Sequence, residues 1–136
     1  MNFTFEHAAL NYRDVKKVVA WYVEHLGLEP VLSTPSGAAF LADSSGRTVF
    51  ELYSNPAHPF IDGDEKTGTE NQSPAPLTLH NAFVVNDVSA ARDHLLKAGA
   101  TLVSGPGTTP AGDELCMLVD PWGIGLQVLK RSTPLP

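Results

Sequence analysis

The sequence predicts an α+β fold built from two βαβββ modules, and three observations support this prediction. FTFEHAALNYRDV (3–15) is echoed by LTLHNAFVVNDV (77–88), and each segment places a His in an apolar alternating run with Asp-Val seven residues later. His7 and His80 are 73 residues apart (80 − 7), and so are Asp14 and Asp87 (87 − 14). Each half then continues as one helical pattern followed by three short apolar runs. Self-similarity at a fixed offset indicates a duplicated unit.

The first half begins with FTFEHAALNY (3–12), whose alternating polarity predicts a strand. Asp14 is a good helix N-cap and Gly27 a good residue to follow the helix. The apolar residues between them fall on one helical face: Val15, Val18, Val19, Tyr22 and Leu26. EPVLST, GAAFLAD and TVFELYS then predict three strands, with the turn DSSG (43–46) between the last two.

The second half repeats this order. LHNAFVV (79–85) predicts a strand, and Asp87 is expected to cap a helix that ends at Gly99. The residues expected to face inward from this helix are Val88, Ala91, Leu95 and Leu96. ATLVSG, ELCMLVD and GLQVLKR predict three strands, and DPWG (120–123) is a hairpin turn with Pro at its second position. GPGTTPAG (105–112) follows a strand and is predicted to be a loop.

These modules are expected to form one domain over residues 1–136, a usual length for a single domain. Module one covers about 1–55 and module two about 77–131. The segment between them, about 56–76, is rich in Pro, Gly, Asn and acidic residues, which predicts a linker or surface loop.

The composition excludes several function classes. A net charge of −6 without a basic cluster argues against a nucleic-acid partner. No apolar stretch reaches the length of a membrane span, and the N-terminus lacks the pattern of a signal peptide. A single cysteine, Cys116, forms no internal disulfide, so we expect a cytoplasmic protein with this residue in its core.

Each module carries one His on its first strand and one polar residue in its apolar last strand. These are His7 with Glu51 in VFELY, and His80 with Gln127 in GLQVL, at separations of 44 (51 − 7) and 47 (127 − 80). If the modules pack as a pseudo-symmetric pair, the four side chains converge into a mixed N/O set that suits Zn, Ni, Co, Mn or Fe(II). The alternative is that both His residues are structural and Glu51 lies on a solvated face.

The chain resembles the vicinal oxygen chelate superfamily, which includes glyoxalase I, extradiol dioxygenases, methylmalonyl-CoA epimerase and the fosfomycin- and bleomycin-resistance proteins. The resemblance rests on HAALNYRDV, HLGLEPV, VFELY, HNAFVVNDV and the final VDPWGIGLQVL, and it covers nearly the whole chain. It implies a glyoxalase-like fold in which two βαβββ modules form a curved, cleft-bearing mixed sheet around a metal. His7, Glu51 and His80 match metal-ligand positions of the family. Gln127 stands where the family usually has a Glu, and an amide coordinates through its oxygen but takes no proton.

The resemblance implies three functions. The first is a metal-dependent glyoxalase-like lyase or isomerase that acts on a small oxygenated metabolite through an enediolate chelated by a divalent metal, with Glu51 as catalytic base. The second is an Fe(II) or Mn(II) dioxygenase with His7, His80 and Glu51 as ligands. The third is a non-catalytic small-molecule or drug-binding protein of bleomycin-resistance type. The family also implies a homodimer, with each site within one chain or shared by two.

Overall fold

The computed structural model describes residues 1–63 and 73–136 of the 136-residue chain. The chain divides into two compact units, Met1–Glu70 and Asn71–Pro136. Part of the predicted linker, residues 64–72, lies outside the described residues. No helix in the described ranges combines the length and the apolar character needed to cross a membrane.

The first unit contains one helix and a four-stranded mixed sheet. Its elements are β1 (Ala8–Asn11), α1 (Val15–Leu26), β2 (Glu29–Ser33), β3 (Ala39–Ala42) and β4 (Thr48–Tyr53). The strand order is β1-β4-β3-β2. β1 pairs with β4 in parallel, and the other two pairings are antiparallel. This is the predicted βαβββ order.

The second unit has the same architecture. Its elements are β5 (His80–Val84), α2 (Val88–Lys97), β6 (Thr101–Thr108), β7 (Glu114–Val119) and β8 (Gly125–Lys130). The order β5-β8-β7-β6, with β5 and β8 parallel, reproduces the first sheet strand for strand. The α+β fold with two βαβββ modules is therefore confirmed.

Both helices begin at the predicted N-caps. The carboxylate of Asp14 accepts a hydrogen bond from the Lys17 backbone N–H at 3.3 Å, and that of Asp87 accepts one from the Ala90 N–H at 2.9 Å. Each bond satisfies one of the backbone donors that the first helical turn leaves without a partner. Gly27 ends α1 in the left-handed conformation with φ of 68°, where a residue without a Cβ meets no steric penalty.

One face of each sheet is covered by the helix of its own unit. In the first unit, Tyr22 of α1 packs edge-on against Phe50 of β4, with ring centroids 6.2 Å apart. In the second, the core includes Leu95 of α2 together with Leu118 and Leu126 of the sheet, and all three are buried. Because side chains alternate along a strand, Glu51 and Gln127, which neighbour these buried residues, lie on the opposite faces.

Three details differ from the predictions. Leu96 is exposed rather than inward. The first strand is shorter than FTFEHAALNY, because only Ala8–Asn11 pair with β4 and β1 is an edge strand. The predicted loop 105–112 is half strand, because the pairing of β6 with β7 continues to Thr108 through register shifts around Gly105.

Candidate functional site

The sheet of the first unit places His7 and Glu51 on one face. Glu51 of β4 is paired with Ala9 of β1 on one side and with Phe40 of β3 on the other. His7 lies two residues before Ala9 and therefore on the same face. The imidazole meets the Phe40 ring edge-on, with centroids 5.1 Å apart. The two predicted ligands of this module are thus neighbours, and an aromatic ring flanks the histidine.

The His7 ring is held at both nitrogens. Its Nδ1 lies 3.0 Å from Oε1 of Glu6, and its Nε2 lies 3.4 Å from Oε2 of Glu51. A carboxylate only accepts hydrogen bonds, so the contact with Glu6 places the ring proton on Nδ1. In a neutral ring the Nε2 lone pair then faces the Glu51 carboxylate. Two facing lone pairs repel each other unless a proton or a metal cation lies between them.

His80 begins β5 and is oriented in a similar way. Its Nδ1 lies 2.9 Å from the carbonyl oxygen of Pro76, which is an acceptor and therefore fixes the proton on Nδ1. Nε2 is left as an acceptor in the neutral ring. Metal-binding histidines commonly donate the N–H of the other ring nitrogen in this manner. The His80 ring is solvent-exposed.

Gln127 occupies the position in the second sheet that Glu51 occupies in the first. It is paired with Ala82 of β5 and with Met117 of β7. His80 lies two residues before Ala82, as His7 lies two residues before the Ala9 partner of Glu51. The duplication therefore holds at the level of single residues in the two sheets, and each His lies on the same sheet face as the polar residue of its module.

Two cavities are formed by described residues of the second unit. The smaller, about 250 Å³, is lined by Gln127 and by a set of apolar and small residues: Leu77, Ser104, Gly105, Gly107, Leu115 and Met117. The larger, about 440 Å³, lies beside the end of β8 and the C-terminal tail and contains none of the predicted site residues. Among these two cavities, the one beside Gln127 is the candidate binding site.

Sequence comparison gives the family of this chain. The model of the Glyoxalase/Bleomycin resistance protein/Dioxygenase superfamily matches residues 4–128. The chain belongs to this superfamily. No curated protein matches the chain by sequence.

Several solved structures share the fold of this chain. A family enzyme from Burkholderia phytofirmans PsJN superposes with a TM-score of 0.69 at 18% identity, covering 92% of this chain and 96% of that one. TnmS3, an antibiotic binding protein from Streptomyces sp. CB03234, gives 0.68 at 22% identity over 97% and 99%. A superfamily member from Sphaerobacter thermophilus DSM 20745 gives 0.67 at 18% over 95% and 98%.

Members of the superfamily commonly bind divalent metals, and His7 and Glu51 carry donor atoms of the types that such ions take. Imidazole nitrogen and carboxylate oxygen are both ordinary ligands of first-row divalent ions. Within residues 1–63 and 73–136, no group of three or more His, Cys, Asp and Glu side chains is arranged to hold an ion.

Four contacts at the predicted residues were not anticipated from the sequence. Glu6 binds His7 Nδ1, Phe40 flanks the His7 ring, the Pro76 carbonyl binds His80 Nδ1, and Gly125 pairs with His80. A Cβ at Gly125 would lie 2.8 Å from the His80 Cβ and 2.7 Å from the Leu79 carbonyl oxygen. Two sequence features could have indicated these contacts: the acidic residue beside His7 and the glycine within the apolar strand β8. Their meaning becomes clear only once the register of the sheet is known.

Cys116 is a core residue, as the sequence predicts. It is 1% exposed on the helix side of β7, and its burial raises the pKa of the thiol. A raised pKa keeps the sulfur protonated and unreactive at neutral pH. The thiol therefore takes no part in the candidate site.

Proposed function

We propose that this protein is a metal-dependent lyase or isomerase of glyoxalase type that acts on a small oxygenated metabolite. His7, Glu51, His80 and Gln127 are its proposed metal ligands, and the ion is one of Zn, Ni, Co, Mn or Fe. The proposal joins the superfamily membership to the donors that each sheet presents.

The single observation that carries the proposal is the arrangement of His7 and Glu51. An acceptor at Nδ1 leaves Nε2 facing a carboxylate oxygen 3.4 Å away, which is the electrostatic environment that a cation satisfies. The carboxylate is about two-thirds buried, so solvent only partly compensates for its charge.

The second unit supports the proposal with equivalent residues. His80 has its Nδ1 proton directed to the Pro76 carbonyl, and Gln127 occupies the register position of Glu51. A Gln side chain supplies a neutral oxygen ligand. The four proposed ligands then carry a total charge of −1, which leaves a divalent ion with positive charge to attract a substrate oxygen.

Glu51 is the proposed catalytic base. When bound, the metal would act as a Lewis acid that polarises a substrate carbonyl. Glu51 takes the proton from the carbon beside that carbonyl, and the electron pair of the broken C–H bond moves toward the carbonyl oxygen. Glu51 later returns the proton at a neighbouring position or to the leaving group. Gln127 has no basic oxygen and serves for binding only.

A second candidate function is small-molecule binding without catalysis. The observation that favours it is Gln127, because this module lacks the carboxylate that its register position has in the first unit. One structural neighbour is described as an antibiotic binding protein. A dioxygenase is the third candidate, since two His and one carboxylate are ligands that Fe(II) uses for oxygen chemistry.

Metal titration tests the proposal. We expect close to one divalent ion per chain by elemental mass spectrometry, with affinity lost in His7→Ala and in His80→Ala. His58→Ala and His94→Ala are matched controls, because both side chains are exposed and outside the proposed ligand set. If the first two variants bound Zn, Ni, Mn and Fe(II) as the controls do, these histidines would not be ligands. Iron-dependent oxygen uptake would instead favour the dioxygenase.

Oligomeric state is a separate part of the proposal. We expect a homodimer, as is usual in this superfamily. Light scattering coupled to gel filtration would give about twice the chain mass of 14.6 kDa. A single-chain mass at micromolar concentration would contradict this expectation.

A further inference from the structure

The size and the lining of the cavity beside Gln127 restrict which substrates can bind there. It opens on the face of the second sheet that bears Gln127, Met117 and Leu115, opposite the face covered by α2. It adjoins a proposed metal ligand, so the group that fills it belongs to the molecule on which the site acts. The inference below therefore rests on the proposed function for its biological meaning, although ligand binding there can be measured without a metal.

The described lining of this cavity carries no charge. Leu77, Leu115 and Met117 form apolar walls, and the polar side-chain groups are the Ser104 hydroxyl and the Gln127 amide. An ionised carboxylate or phosphate that entered would lose water and gain no cationic partner from this lining. A neutral group with one or two oxygens loses much less, because the hydroxyl and the amide replace its hydrogen bonds.

The size of the cavity suits a single ring. An apolar cavity of about 150 Å³ accommodates benzene. About 250 Å³ therefore holds one six-membered ring with a few substituent atoms. The thioether of Met117 adds a favourable contact for an aromatic ring, because sulfur interacts well with ring edges.

Gly107 keeps the cavity open. It is paired with Leu115, so a Cβ at this position would point to the cavity face of the sheet, and no heavy atom would lie within 4 Å of it. Its φ lies outside the left-handed region, so a larger residue fits the backbone. A glycine inside a strand is otherwise unfavourable, because it costs conformational entropy and packs no side chain. The empty space above Gly107 is therefore available to a ligand.

We propose that the substrate of this protein places a small uncharged aromatic ring in the cavity beside Gln127, and that Gly107 determines this specificity by leaving room for the ring. The Gln127 amide and the Ser104 hydroxyl bind the neutral oxygen substituents of the ring. A substrate whose corresponding part is a carboxylate or a phosphate is rejected.

Fluorine NMR on metal-free protein tests the proposal with two probes that share the fluorophenyl ring, 4-fluorophenol and 4-fluorobenzoate at pH 7. A phenol has a pKa of about 10 and a carboxylic acid one of about 4, so the first probe is neutral and the second is charged. We expect 4-fluorophenol to bind at least about tenfold more tightly than 4-fluorobenzoate. Equal binding of the two probes would overturn the neutral-ring assignment, and binding of neither would overturn the cavity.

Gly107→Val supplies the structural test, and Thr108→Val is its control, because Thr108 is the next residue of β6 and points to the opposite face. We expect Gly107→Val to weaken 4-fluorophenol binding at least about tenfold while its melting temperature is unchanged or raised. Thr108→Val should bind as the wild type does. Unchanged binding in Gly107→Val would contradict the role of Gly107. EDTA is present in every sample, so the ring-binding result does not depend on whether the protein binds a metal. Likewise, a failure of ring binding would leave the metal titration unaffected.

Discussion

Nε2 of His7 lies 3.4 Å from Oε2 of Glu51, while Nδ1 of the same ring contacts the Glu6 carboxylate at 3.0 Å. The imidazole therefore lies between two carboxylates, and each of its two ring nitrogens faces one of them. Glu51 lies on the sheet face opposite the helix, and Glu6 precedes the strand and is exposed. This relationship assigns different roles to the two acids, with Glu51 at the proposed metal and Glu6 orienting the ring.

Glu6→Ala tests the orienting role. Loss of a partner at the second ring nitrogen lowers metal affinity by about 10- to 100-fold, and exposure of Glu6 places the expected effect near tenfold. The matched control is Glu24→Ala, because Glu24 also neighbours a histidine in sequence, with His25 Nε2 at 3.7 Å. Calorimetric Zn titration measures both variants. An effect of Glu24→Ala as large as that of Glu6→Ala would show a general charge effect instead.

Gly125→Ala tests the positioning of His80. The new Cβ would lie 2.8 Å from the His80 Cβ, so the histidine must move away from the strand. We expect changed His80 ring resonances in nitrogen–proton NMR spectra and at least about tenfold weaker metal binding. Gly107→Ala is the control, since its Cβ meets nothing within 4 Å. Wild-type His80 resonances in Gly125→Ala would contradict the steric account.

Asn11→Ala tests the attachment of the segment after β4. The buried Asn11 amide donates to the carbonyls of Asn55 at 3.1 Å and Pro59 at 3.0 Å, and its oxygen accepts from the Asn55 N–H at 2.7 Å. Loss of these bonds lowers the free energy of unfolding by about 2–3 kcal/mol. Urea unfolding measures the loss. The exposed Asn86→Ala is the control, and an equal effect in both variants would refute the role of Asn11.

We expect Asp113 to make the stability of the second unit depend on pH. The Ser132 backbone N–H, helped by Arg131, holds the pKa of its carboxyl below the ordinary value of 3.8. A depressed folded-state pKa stabilises the fold above about pH 4, and this contribution is lost as pH falls through the folded value. We expect Asp113→Asn to lower the urea midpoint clearly at pH 6 and much less at pH 3. A pH-independent difference, or one matched by Asp93→Asn, would contradict this.

Much of the fold was predictable, because its signals are local or periodic. Asp14 and Asp87 predict the N-termini of the two helices, and the alternating apolar runs predict the strands. The continuation of β6 past Gly105 was missed because Gly and Pro signal a loop, whereas pairing with β7 outweighs that local preference. Leu96 was misplaced because helical spacing identifies a face only to within about one residue.

The sequence proposes the members of the candidate site and says little about their surroundings. His7, Glu51, His80 and Gln127 stand out because they are polar residues at matched positions of a repeat. Contacts such as Phe40 against His7 depend on the register between β1, β4 and β3, which no single segment specifies. The cavity beside Gln127 likewise depends on which residues of β6 face Leu115, and the register shifts in β6 determine this.

Pulsed EPR of Mn(II)-loaded protein with ¹⁵N-labelled histidine tests the central claim most directly, because it detects imidazole nitrogens bound to the metal. The account predicts coupling to two histidine nitrogens in the wild type and to one in either His7→Ala or His80→Ala. A spectrum without nitrogen coupling, or one that both variants leave unchanged, would contradict the assignment of His7 and His80 as ligands.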